Sequence, residues 1–123
     1  GNPMEEIVGF ARAVRVGPYI TIGGTAPVDA KGQTVGIGNA AKQAERCFEI
    51  IGDALQRAGS GWADVVRTRV ILTNIDDWKA VIDVRAKYCK EAKPVDTIMQ
   101  VTRFVNPEWL VEIEADAVVA EDG

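Results

Sequence analysis

Glu112, Glu114 and Asp116 recur at every second position near the end of this 123-residue chain. An extended strand places such residues on one face, about 6–7 Å from one to the next. At an effective dielectric of ~20, two neighbouring carboxylates that close repel by about 2–3 kcal/mol. The face must therefore meet water or cations. Arg12, Arg15, Arg67, Arg69 and Arg103 stand on segments with strand character and are candidates to neutralise it. Two readings follow. One is a solvated or ion-paired sheet face. The other is a face that meets another subunit and encloses a polar site, where a carboxylate can hold a water or carry a proton.

The remaining motifs offer less. Gly36-Ile37-Gly38-Asn39-Ala40-Ala41 has the form G-x-G-x-x-A, but a dinucleotide site also needs a firm strand before it and an acid ending the next strand. Asp53 and Asp64 fall inside a helix and before a strand, so a glycine-rich start to a helix explains the motif. Gly23-Gly24 lacks the Lys-Ser/Thr of a phosphate loop. Cys89 beside Lys90 is a candidate reactive thiol, since a nearby cation lowers a thiol's pKa; ordinary packing is the plainer reading. The chain has no histidine, and Ser60 is its single serine, which excludes Ser-His-Asp and Cys-His nucleophiles and imidazole-bound metals. Neither a metal nor a cofactor is expected. Cys47 and Cys89 read as reduced thiols of a cytoplasmic protein. A formal charge of −4 disfavours nucleic acid, and no apolar run is long enough to cross a membrane. No secretory signal is visible, and Gly1-Asn2-Pro3 ahead of Met4 reads as a remnant of cloning.

The elements that position these residues follow from pattern. Strands are predicted over Phe10 to Val16 and Tyr19 to Ile22, separated by Gly17-Pro18 and closed by Gly23-Gly24, with a short strand around Gln33 to Val35. Asn39 to Ala58 reads as a helix whose buried face is Ala40, Ala44, Cys47, Phe48, Ile51, Ala54, Leu55 and Ala58, capped by Asn39 and ended by Gly59. Val65 to Leu72 is a strand. Asn74 to Asp77 offers caps to a second helix, Asp77 to Glu91, with Trp78, Val81, Ile82 and Cys89 on or near its buried face. Thr97 to Phe104 and Trp109 to Val119 are strands. Residues 4–120 make one domain, α+β, with a mixed sheet and two helices packed on one face.

Several strings, taken in order, resemble the RidA family, also called YjgF or endoribonuclease L-PSP. They are Ala13-Val14-Arg15-Val16-Gly17, Gly24-x-x-Pro27, Ala58-Gly59, Asp64-Val65-Val66-Arg67-Thr68, Leu72-Thr73-x-x-Asp76-Asp77-Trp78 and Leu110-Val111-Glu112-Ile113-Glu114-Ala115. The likeness runs from Val8 to Val119. It implies a chorismate-mutase-like fold, a homotrimer, and three small-molecule clefts at the subunit interfaces. Its best-known members hydrolyse reactive enamines and imines, derived from amino acids, to ketoacids and ammonia.

Residue by residue, the resemblance carries over only in part. Deaminating members have an Arg two residues after the Pro that follows the second helix, and it grips the substrate carboxylate through a guanidinium fork. Here that position is Asp96. The family's Tyr in the first strand is Phe10, its Ser at the end of the second strand is Gly23, and its pocket Asn is Ile82. Glu112 remains, aligned with the acid that positions the hydrolytic water; Arg103 and Glu114 also match. The expected function is therefore small-molecule binding between subunits, with a ligand other than an α-amino-acid imine. Asp96 and Glu112 would favour a cationic or hydrogen-bond-donating ligand. Thr97 and Arg12 would add polar contacts, and Phe10 and Ile82 apolar walls. The alternative is a deaminase that keeps Glu112 and uses another Arg, such as Arg12. The ribonuclease of the family's older label fits poorly with the absence of histidine and the negative charge.

Overall fold

Gly17, in the left-handed region at φ 57°, turns the chain between β1 (Ala13–Val16) and β2 (Tyr19–Thr25). The computed structural model describes residues 11–120. Helix α1 (Ala40–Arg57) begins where the Asn39 side chain accepts the Lys42 amide. It ends in a Schellman arrangement, with Gly59 at φ 83° and the Ser60 amide donating to the Leu55 carbonyl. β3 (Val65–Leu72), α2 (Trp78–Cys89) and β4 (Val95–Gln100) form a parallel crossover, and β5 (Val111–Val118) closes the chain.

The sheet order is β1-β2-β5-β3-β4. β5 lies in its middle, antiparallel to both β2 and β3. Alternation then divides the strands between two environments. Ile20, Ile22, Val70, Leu72, Val111 and Ile113 are fully buried beneath Phe48, Ile51 and Leu55 of α1 and Val81 of α2. The other face carries Glu112, Glu114 and Asp116, which are only half-buried.

Several boundaries differ from expectation. β2 does not end at Gly23-Gly24; it runs through them to Thr25, and its register with β5 slips there because the two glycines form a bulge. The strand expected at Gln33 to Val35 reduces to a single bridge between Val28 and Thr34. β4 starts at Val95 and stops at Gln100, which puts Asp96 and Thr97 on the strand and leaves Arg103 in the following loop. Asn74 caps a 3-10 turn (Ile75–Asp77) ahead of α2, whereas Asp77 makes no capping bond. Trp78, expected near the buried face, is 48% exposed.

Candidate functional site

Glu112 sits opposite Ile71 in the β3–β5 register, on the sheet face away from the helices. Burial pushes its carboxyl above the usual carboxylate range, and the charge of Glu114 pushes it further. Room for the carboxyl comes from Gly24: a Cβ there would lie 2.8 Å from Glu112 Oε1. The bulge in β2 thus brings backbone, rather than a side chain, against the acid. Its neighbours on the strand are partnered. Arg69 Nη1 lies 3.1 Å from Glu114 Oε1, and Asp116 Oδ1 accepts from the Thr21 hydroxyl at 2.6 Å and the Tyr19 hydroxyl at 3.2 Å. A half-buried carboxyl with a raised pKa keeps its proton to higher pH than a free one, the direction a general acid requires.

Asp96 belongs to the other face. It pairs in register with Thr68, which is fully buried on the helix side. The Thr68 hydroxyl donates to Asp96 Oδ1 at 2.7 Å and accepts from Arg85 Nε at 2.8 Å. Arg85 Nη2 donates to the Pro94 carbonyl at 2.9 Å, and its Nε stands 3.8 Å from Asp96 Oδ1. Asp96 is therefore paired and hydrogen-bonded, and within one chain it does not converge on Glu112. Ile82 is half-buried on α2, one turn before Arg85.

Thr97 lies on the Glu112 face, opposite Arg69. Gly23 is exposed, and its amide donates to the Arg12 carbonyl at 3.0 Å. Arg12 itself is half-buried just before β1. Phe10 lies outside the described residues. Arg103 is exposed, and its Nε donates to its neighbour's carbonyl, that of Phe104. The reactive-thiol reading of Cys89 is not supported: the residue is 2% exposed, and burial pushes its thiol pKa up. The sequence pattern did not single out Arg85, and it marked Gly24 only as a strand end and a family-motif glycine. A signal for Arg85 was present, since Val81, Val84 and Arg85 stand at i, i+3 and i+4, the spacing of one buried helix face.

The sheet order and the single helix layer define a chorismate-mutase-like α+β fold. Residues 2–119 match the family model described as endoribonuclease L-PSP. The crystal structure of Rv2704 from Mycobacterium tuberculosis, a member of the YjgF/YER057c/UK114 family, aligns with a TM-score of 0.86 at 39% identity, covering 97% of this chain and 94% of that one. The 2-iminobutanoate/2-iminopropanoate deaminase of Bos taurus is 36% identical over 110 residues, 89% of this chain and 79% of the relative. The 3-aminoacrylate deaminase RutC of Acinetobacter baylyi is 30% identical over 119 residues, 97% of this chain and 93% of the relative. The chain belongs to the RidA (YjgF, endoribonuclease L-PSP) family. Proteins of this family are typically trimeric.

Proposed function

We propose that the protein is a homotrimer that binds a small, neutral, hydrogen-bonding molecule between subunits, with Glu112 as its proton-handling group. The observation that carries this reading is the state of the two acids. Asp96, where deaminating relatives would place a carboxylate-gripping Arg, is tied to Arg85 and Thr68. Burial and the charge of Glu114 raise the pKa of Glu112. With Asp96 committed to Arg85 and Thr68, the cationic ligand expected from two free carboxylates loses one of them, and an α-imino acid lacks the guanidinium it needs where Asp96 stands. The trimer is supported by the family, whose members are typically trimeric.

A second reading, imine or enamine deamination, is favoured by the names of the bovine and Acinetobacter relatives and by the retained Glu112. Arg85 would then have to supply the missing cation, although two of its nitrogens are already committed to Thr68 and Pro94. Ribonuclease action remains the weakest of the three, in a chain with no histidine and a charge of −4.

Calorimetric titration with pyruvate and with its uncharged amide separates the first two readings. The first expects the amide to bind at least as tightly as the acid, and Glu112→Gln to weaken it. Pyruvate binding tenfold or more tighter than the amide would favour the second.

A further inference from the structure

The bulge beside Glu112 is held from its other side, toward the helices. Ile22 pairs with Ala115 and Thr25 with Ile113, so Gly23 and Gly24 together face Glu114 alone. The extra residue reverses the alternation of β2. Ile20 and Ile22 are buried under the helix layer, and strict alternation would send Gly24 after them and Thr25 to the outer face. Instead Thr25 is fully buried, and Gly24 lies against the Glu112 carboxyl. Undoing the bulge would turn the Thr25 side chain toward the face that carries Glu112.

A buried hydroxyl costs stability unless it is bonded, and valine offers the same shape without that demand. Here the Thr25 hydroxyl donates to the Gly23 carbonyl at 2.9 Å, across the bulge. The Thr25 carbonyl accepts in turn from Cys47 Sγ of α1 at 3.1 Å. Cys47 is fully buried too, and its sulfur lies 4.0 Å from the carbonyl of Val111, one residue before Glu112. Burial pushes its thiol pKa up, so the sulfur keeps the proton it donates. Both side chains reach the bulge from the core, away from the face that another copy would cover.

We propose that Thr25 and Cys47 are positioning residues for Glu112: hydroxyl and thiol clamp the bulge from the core side, and the clamped bulge holds Gly24 against the carboxyl. The effect on geometry is independent of what Glu112 does. The effect on binding rests on the function proposed above.

The test is the carboxyl carbon titration of Glu112 in the full chain, with the affinity for the uncharged amide of pyruvate measured beside it. Thr25→Val keeps the shape and removes the donor. Water then reaches the loosened bulge, so the Glu112 pKa should fall toward the ordinary carboxylate range. The amide should bind at least about fivefold more weakly, the scale of one hydrogen bond. Thr25→Ser keeps the hydroxyl and should titrate like wild type. Ile20→Val loosens the same strand away from the bulge and should leave the titration in place. None of these variants alters Glu114, whose charge also raises the pKa of Glu112, or its partner Arg69. A folded Thr25→Val protein that titrates like wild type would overturn the proposal, and so would an equal shift in Ile20→Val. If Thr25→Val does not fold, Cys47→Ala decides by the same titration, and an unmoved curve there would refute the clamp. A shifted titration with unchanged amide affinity would support the positioning role and contradict the function proposed for Glu112.

Discussion

Glu112 is the residue on which the proposed chemistry turns, and its environment makes two expectations specific. Its folded-state pKa is raised, so between the unfolded and the folded values the folded protein holds a proton that the unfolded chain has released. Stability contributed by that proton is present below the unfolded carboxylate pKa and is lost as pH rises through the raised value. Glu112→Gln should therefore raise the urea midpoint at pH 7 and leave it nearly unchanged at pH 4. A variant less stable than wild type at pH 7 would contradict the burial argument. Glu114→Gln removes the second cause of the shift, so a carboxyl carbon titration of Glu112 should move down, though only part of the way. Gly24→Ala addresses position rather than charge. The added methyl would meet Glu112 Oε1 at 2.8 Å, and the flexible carboxyl can yield. Folding should be little affected while pyruvamide binding falls.

At the scale of elements, the α2–β4 connection is held by polar bonds as well as apolar packing. Arg85 and Asp96 are 15% and 16% exposed at their side chains, with Thr68 between them. Removing one partner of such a pair strands the other, at a cost of about 3 kcal/mol or more, whereas replacing both with apolar groups recovers most of it. Arg85→Met should lower stability by that order in urea unfolding, and Arg85→Met with Asp96→Leu should restore much of it. Additive losses in the double variant would show that the pair is not coupled. This is also where the sequence was hardest to read. The α1 stripe from Ala40 to Leu55 and the alternation on β5 were legible because burial follows period there. Gln43 was not, because a polar residue on the buried face breaks the pattern. It is fully buried and binds the Glu108 carbonyl and the Leu110 amide, securing the approach to β5. Asp96 was identifiable by alignment with family motifs. Its face was not, because that depends on β4 starting at Val95 and on a parallel register set by tertiary pairing.

For the molecule as a whole, the outer sheet face is apolar at its margins and charged at its centre. Val16 is 69% exposed and Val95 67%, on strands at opposite edges. Exposed β-branched residues around a polar centre suit a face that another copy covers. Light scattering should give about three times 13.3 kDa at micromolar concentration, and a monomer would remove the basis for any site between subunits. The proposal that Asp96 keeps this family scaffold from acting on α-imino acids is decided by ketoacid release from imines made by amino-acid oxidation, measured beside the bovine deaminase. The wild-type protein should give no release above the uncatalysed rate; release at a rate comparable to that relative's would show that it is an imine deaminase despite Asp96.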